Sequence, residues 1–340
     1  MTAHRPISTL TVRAAGQEDR AAIDSFVRSR PDATPFHLPG WLEAVERGCG
    51  HGGFHLVAER GGAIAGVLPL TELRSRLFGS ALVSSGFAVG GGILGDGVSE
   101  LAEAASDLAR TRGFASVELR GGSVPHGWQR REGLYFGFER DIPESDEAIL
   151  QSIPRKQRAE VRRALANGLE VKAGCDLDSH YRVYAESVRN LGTPVFPRAL
   201  FEAALERLDA DILTVGKDGE PLASVLSLYH GDTVYPYWGG GTRAARAARA
   251  NELLYFALMR HAWARGFTRF DFGRSKAGTG AFAFKKNWGF EPRPLVYAVR
   301  GDARETNPLS PRYRLQVAAW KRLPLFLANR LGPPIARGLG

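Results

Sequence analysis

The stretch Arg265-Gly-Phe-Thr-Arg-Phe-Asp-Phe-Gly-Arg-Ser-Lys-Ala-Gly-Thr-Gly-Ala-Phe-Ala-Phe-Lys-Lys-Asn-Trp-Gly-Phe-Glu-Pro292 decides how this chain is read. Phe267 to Phe272 reads as a strand, because aromatic and β-branched residues dominate it and Gly266 and Gly273 bound it. Alternation puts Phe267, Arg269 and Asp271 on one face and Thr268, Phe270 and Phe272 on the other. Asp271 thus stands at the C-terminal end of the strand. The glycine-rich loop after it can sit over a ligand, with Arg274 and Lys276 able to meet anionic groups. Ala281 to Trp288 then reads as a short helix carrying Lys285 and Lys286.

Working outward from this stretch, a repeat emerges. In the first half, Leu10–Ala14 reads as a strand and Asp19–Arg28 and Trp41–Arg47 as helices. The hairpin Phe54–Glu59/Ala63–Leu70 turns at Arg60-Gly61-Gly62; strand 81–84, Gly90-Gly91-Gly92, a helix from about Val98 to Arg110 and strand Phe114–Leu119 follow. In the second half, Asp211–Gly216 and Pro221–Tyr229 flank the turn Lys217-Asp218-Gly219-Glu220. Thr233–Trp238, Gly239-Gly240-Gly241, a helix from about Ala250 to Trp263 and the strand at Phe267 complete the same order. Three anchors, Gly62 with Gly219, the two triple glycines, and Arg112-Gly113-Phe114 with Arg265-Gly266-Phe267, are offset by 157, 149 and 153 residues. Such agreement implies two copies of one α/β unit, and makes Glu118 and Asp271 equivalent.

Composition sets the bounds. The 340 residues suffice for two domains, and a 44% hydrophobic content suffices for their cores. Cys49 and Cys175 are the only cysteines, which excludes a disulfide framework and favours a reducing compartment. With no signal-like N-terminus and no long apolar run, the chain is expected to be cytoplasmic. Of the net charge of +9, the residues from Arg300 onward supply +6, so the body is nearly balanced. That tail, Pro311 to Leu331, mixes Leu315, Val317, Trp320, Phe326 and Leu331 with Arg312, Arg314, Lys321, Arg322 and Arg330. It reads either as a peripheral contact with the inner membrane face or as a helix packed on the second domain.

Between the copies, Arg155, Lys156, Arg158, Arg162 and Arg163 crowd one helix, as a solvated face or as the wall of a channel for a polyanion. Other chemistries find little footing. Gly273-Arg-Ser275-Lys-Ala-Gly278 has the wrong spacing for a Gly-x-Ser-x-Gly elbow. His51 and His55 are separated by glycines that deny them a zinc-binding helix, and no metal is expected.

These residues also carry a resemblance. Arg155-Lys-Gln-Arg-Ala-Glu-Val-Arg-Arg-Ala-Leu-Ala-Asn-Gly-Leu-Glu-Val, Tyr237-Trp-Gly-Gly-Gly, Phe270-Asp-Phe-Gly, Gly280-Ala-Phe-Ala-Phe-Lys-Lys-Asn-Trp-Gly-Phe and the entry motif Pro35-Phe-His-Leu-Pro-Gly-Trp41 resemble the FemAB family, also described as BioF2-like acetyltransferase domains. Ile153-Pro-Arg-Lys-Gln-Arg, Asn190-Leu-Gly-Thr-Pro-Val-Phe-Pro and Gly273-Arg-Ser-Lys are similar to the subgroup associated with exosortase and PEP-CTERM exopolysaccharide systems.

The resemblance implies an α/β (α+β) chain of tandem duplicated GCN5-related N-acetyltransferase-like (GNAT) domains with mixed sheets. The expected units are an N-terminal domain over 1–144, an active C-terminal domain over 145–300 and a basic amphipathic tail over 301–340. It implies transfer of an acyl or aminoacyl group to an amine of a cell-envelope glycan or peptidoglycan-type precursor. The donor is aminoacyl-tRNA or acyl-CoA, with no tightly bound cofactor.

Lys285 is placed near acceptor phosphates and the reacting carbonyl. Asp271 either takes the amine proton, orients Arg274 or Lys276, or caps the loop; Tyr237, with Tyr235 as the competing match, donates to a leaving group. Trp238, Gly239, Gly240, Gly241, Arg246, Arg249, Asn251, Arg274, Lys276 and Lys286 are the candidate substrate contacts. One departure bears on the donor: Arg246-Ala-Ala-Arg-Ala-Asn251 lacks the glycines that let a backbone cradle coenzyme A pyrophosphate. Two further readings are an acyl-CoA-dependent N-acetyltransferase and a catalytically idle fold that binds a polysaccharide or a partner.

Overall fold

In the computed structural model, residues 9–302 and 313–340 are described. The first half supplies strands β1 (Leu10–Ala14), β2 (Gly53–Arg60), β3 (Ala63–Ser75), β4 (Gly79–Ser84), β5 (Leu94–Gly95), β6 (Ser116–Arg120), β7 (Gln129–Arg131) and β8 (Tyr135–Asp141). The second supplies β9 (Glu170–Gly174), β10 (Ala210–Lys217), β11 (Glu220–His230), β12 (Thr233–Gly241), β13 (Arg269–Asp271), β14 (Ser275–Lys276), β15 (Pro292–Pro294) and β16 (Tyr297–Gly301).

Both hairpin turns form for the same reason. Gly61 and Gly62 take φ of 60° and 80°, and Asp218 and Gly219 take 52° and 82°. Two consecutive positive φ values match the twist of the flanking strands, and only glycine and short polar residues adopt them cheaply. The pairs β2/β3 and β10/β11 therefore close through two-residue loops, in register Arg60↔Ala63 and Lys217↔Glu220.

Two mixed sheets result, in the orders β1-β2-β3-β4-β6-β16-β7 and β14-β8-β13-β12-β11-β10-β9, with β5 on β3 and β15 on β8. The repeat is visible in the topology. An antiparallel meander is followed by a parallel partner (β4 with β6, β12 with β13) and then by an antiparallel strand from the other half. β8, which precedes residue 145, completes the second sheet; β16 completes the first. A cut at 144/145 would part β8 from the strand β13 that it pairs with.

Helices occupy equivalent places as well. Arg20–Arg28 and Pro39–Cys49 lie between β1 and β2, as Leu177–Leu191 and Arg198–Arg207 lie between β9 and β10. Val98–Thr111 precedes β6 as Ala250–Ala264 precedes β13. Alternation along the strands feeds two cores: Leu213, Val215 and Val225 pack toward Ala250–Ala264, whereas Ile212, Leu226 and Leu228 join the core shared with the first half.

That shared core is built on the entry motif. Trp41, fully buried, stacks on Trp238 with centroids 5.9 Å apart and meets Tyr237 edge-on at 5.4 Å, while Phe36 lies 5.0 Å from Tyr237. Gly40 and Gly48 let Pro39–Cys49 approach Arg198–Arg207: a Cβ at Gly48 would sit 2.4 Å from Leu200 Cα, so no larger residue fits without parting the helices.

One face of the tail packs on the body. Helices Arg314–Trp320 and Leu325–Ala336 meet at Pro324, and Gly332 sits so close to Val195 that a Cβ there would lie 3.0 Å from it. Pro311 and Arg312 lie outside the described residues.

Candidate functional site

β12 and β13 pair for only two positions, Thr233↔Arg269 and Val234↔Phe270, after which β12 runs on to Gly241 against β11 alone. The strands part, and the wedge opens where β13 ends at Asp271. As alternation predicts, Phe270 and Phe272 are buried in the core while Asp271 is on the opposite face. The Gly273 amide donates to Asp271 Oδ1 at 2.8 Å, which the positive φ of Gly273 (68°) permits. Burial pushes the Asp271 carboxyl up to about 6; Glu139, directly opposite on β8, adds to the shift, and the Gly273 amide and Lys285 oppose it. Among the described residues no Lys or Arg reaches ion-pair distance of this carboxylate.

Lys285 lies on the helix Gly280–Asn287, which Thr279 caps by accepting from the Phe282 amide. Only 8% exposed, its ammonium donates to the carbonyls of Gly273 and Arg274 at 3.0 Å each and lies over the rings of Phe138 and Phe272. Burial lowers its pKa to about 7, against the pull of Asp271 and with the help of Arg274. In its protonated form the group has three donors, so two hold the loop and one remains. Lys286, one position on, is exposed on the outer face.

Beyond this loop lies a cavity of about 630 Å³ between the halves, walled by both and by the tail helices. Arg274 and Lys276 line it from the second half and Arg120 from the first. Arg274 donates to the Tyr297 hydroxyl at 2.7 Å and lies 4.7 Å from the centre of the Tyr135 ring. Both tyrosines come from the exchanged strands, β16 and β8. Arg120, 6% exposed, pairs with Glu118 at 2.7 Å and donates to the carbonyls of Ala88 and Gly340. The offset of 153 made Glu118 equivalent to Asp271. That Arg120 would turn into the same cavity had no signal in the sequence beyond its place two residues later.

Several expected contacts serve the fold instead. The Tyr237 hydroxyl donates to the Phe87 carbonyl at 2.6 Å, so its proton ties the halves together; the geometry offers no free donor to a leaving group. Phe87 (φ 65°) and Ser85 (φ 45°) hold conformations that cost about 1–3 kcal/mol each, on a loop that walls the cavity. Tyr235 is buried in the shared core. Trp238 is buried against Trp41 and Phe201 rather than facing a ligand.

Gly239, Gly240 and Gly241 lie inside β12, where added Cβ atoms would meet Tyr255, Ser187 and Asn251 at 2.9, 2.5 and 2.7 Å. They admit helices on both faces of the strand, and Asn251 lies against Gly241. Arg249 pairs with Glu160, and Arg246 is exposed beside it, away from the cavity. Arg155, Arg158 and Arg162 line a shallow surface depression of their own.

Comparison with known proteins bears on this geometry. Residues 155–286 match the family described as an acetyltransferase (GNAT) domain. Comparison of sequences with curated proteins gives no match. Among solved structures, FemX superposes with a TM-score of 0.67 at 16% identity, over 84% of this chain and 96% of that one. The C-terminal domain of a putative lysylphosphatidylglycerol synthetase from Agrobacterium fabrum gives 0.59 at 12% identity, over 84% and 92%. A tandem GNAT protein from the clavulanic acid biosynthesis pathway gives 0.54 at 13%, over 86% and 98%. At these identities the likeness is one of fold. The chain carries a FemAB-like tandem GNAT fold.

A pH test follows from Lys285. Its folded pKa of about 7 lies below the ordinary 10.5, so between these values the unfolded chain holds a proton that the folded one has released. Stability therefore gains from this group as pH rises through that window, by at most about 1.4 kcal/mol per pH unit. Denaturant unfolding at pH 7, 8 and 9 should show a steeper rise for the native chain than for Lys285→Met; equal slopes would contradict the burial argument.

Proposed function

We propose that this FemX-like chain is an acyl- or aminoacyltransferase that joins an activated acyl group to an amine of a cell-envelope glycan or peptidoglycan-type precursor. The observation that carries the reading is Asp271, a carboxyl that burial pushes above the ordinary carboxylate range at the mouth of the wedge, three residues before the first cation of the cavity. The acceptor amine attacks the acyl carbonyl carbon and a C–N bond forms. The amine proton passes to Asp271, the bond from that carbon to the carrier oxygen or sulfur breaks, and the leaving atom takes that proton in turn from Asp271, which returns to its carboxylate form. Lys285 acts as a positioning residue through the Gly273 and Arg274 carbonyls, and its remaining N–H is available to the developing oxyanion.

For the donor, the absence of glycines from Arg246 to Asn251 and the exposed cations of Arg155–Leu165, joined to Arg249 through Glu160, favour a polyanionic carrier such as tRNA over coenzyme A. The resemblance to the exosortase-associated subgroup points to an exopolysaccharide setting for the acceptor. The full chain, given radiolabelled acyl-CoA or charged tRNA with an amine-bearing muropeptide precursor, should transfer label from one donor. Asp271→Asn should lower kcat by about 10²–10⁴ without altering the thermal melt. Transfer from neither donor, or an unimpaired Asp271→Asn, would remove the proposal.

No helix among the described residues is long and apolar enough to cross a membrane. Peripheral contact through 311–331 is supported by Leu315, Phe326 and Leu331, which are 83, 70 and 48% exposed beside the exposed Arg314, Lys321, Arg322 and Arg330. Co-sedimentation with vesicles rich in phosphatidylglycerol should fall at least threefold for the double change Leu315→Ser, Phe326→Ser; unchanged binding would rule the contact out.

A further inference from the structure

The outermost strand of a sheet presents a row of backbone donors and acceptors that another strand can pair with, and folds guard such edges by shortness, by cover or by charge of one sign. The two sheets here end on β1, β7, β14 and β9. β14 is two residues long and β7 three, with Arg130 and Arg131 both exposed on the latter. On β1 the one charged residue, Arg13, is held by Asp19 and Glu59. β9 is neither short nor covered. Glu170-Val-Lys-Ala-Gly174 pairs with β10 along its whole length on one side, yet every one of its residues is exposed. A Cβ built on Gly168 or Gly174 would meet nothing within 4 Å, so the ends of the strand are open as well. Its charges are of both signs and share one face, with Lys172 3.7 Å from Glu170.

Charges of both signs do not repel a second copy of the same strand; they choose its register. Residues directly opposite in an antiparallel pair share a face, so a strand that pairs with its own copy about a two-fold axis is centred on a residue that faces itself. Centring on Lys172 sets lysine against lysine, and centring on Glu170 sets glutamate against glutamate, both unfavourable. Centring on Ala173 sets Glu170 against Asp176 and leaves Lys172 opposite Gly174. Centring on Val171 sets Glu170 opposite Lys172 on both sides of the axis, brings Val171 onto Val171, and puts Leu169 opposite Ala173 and Gly168 opposite Gly174. Charge complementarity therefore selects this register.

The distribution of apolar surface agrees. Val171 is 42% exposed although it lies across from Val215, on the sheet face that Ala250–Ala264 covers further in. Leu165, 47% exposed, ends the helix Arg155–Leu165, whose Val161 and Ala164 enter the core under that same face. A second edge laid against β9 withdraws Val171 from water.

We infer that two copies of this chain associate through β9, antiparallel and about a two-fold axis at Val171, so that their second sheets become one. β9 stands at the opposite end of the sheet order from β14 and β8, which bring Lys276 and Tyr135 to the cavity, and the pairing leaves the cleft open. A lone ladder of about five residue pairs belongs to the class of small interfaces, below ~1,200 Å², so the association is weak and depends on concentration.

Sedimentation velocity of the full chain, from micromolar to near-millimolar protein, should show a reversible monomer–dimer equilibrium. Lys172→Glu and Glu170→Lys should each raise the dissociation constant at least tenfold, because each sets like charges opposite. The double exchange Glu170→Lys, Lys172→Glu should return it to within threefold of the native value. Both side chains are exposed, so thermal melts of all three variants should match the native chain. In a Cys175→Ser background, Val171→Cys should cross-link into a covalent dimer on mild oxidation, since α-carbons directly opposite lie roughly 4.5–5.5 Å apart, within disulfide reach. Ala173→Cys, which faces Leu169, should not. A monomer at every concentration leaves the edge to a different partner or to none and overturns the inference. A dimer indifferent to the single reversals, single reversals that the double exchange does not rescue, or equal cross-linking at 171 and 173 would each overturn it too.

Discussion

Neither sheet is complete within its own half. β8 leaves the first half to pair with β13 through Arg269↔Asp141 to Asp271↔Glu139, and β16 returns from the second to pair with β6 through Tyr297↔Arg120 to Gly301↔Ser116. Pulling the halves apart would strand two ladders of backbone donors and acceptors and expose the aromatic core around Trp41 and Trp238, a loss of several kcal/mol at the least. The walls of the cleft are therefore fixed relative to each other, and what they hold is held with the precision of a core.

The exchange also delivers the chemistry. Tyr135 on β8 and Tyr297 on β16 flank Arg274, and Glu139 on β8 faces Asp271 and helps to keep its carboxyl near neutrality. The two copies have divided their labour around equivalent carboxylates. In the first, Glu118 is neutralised by Arg120, and that pair anchors the loop through Ala88. In the second, Asp271 accepts a backbone amide and meets no cation at ion-pair distance among the described residues. The first copy supplies a wall and the second a titratable group.

Local patterns read true where local forces decide. β1 falls on Leu10–Ala14, the helices 98–111 and 250–264 end within a residue of expectation, and both two-residue turns announce themselves by glycine. The strand expected over Phe267–Phe272 shortens to Arg269–Asp271, because the parallel partner diverges after Val234. What the sequence withheld was long-range. Tyr135–Asp141 is an aromatic segment whose choice of sheet depends on pairing with residues about 130 positions later, and Tyr237 finds Phe87 in the other half. The matching triple glycines misled, since Gly90–Gly92 lie in a loop and Gly239–Gly241 within a strand packed on both faces. That one face of the tail would pack on the body turned on its fit to Val195 and Gly192, which composition does not encode.

The central claim is that burial in the cleft holds Asp271 ready to accept a proton near neutral pH. The direct measurement is a carbon-detected NMR titration of its carboxyl, assigned by the resonance lost in Asp271→Asn. A midpoint near 6 is expected; a midpoint at or below the ordinary value of 3.8 would contradict the account.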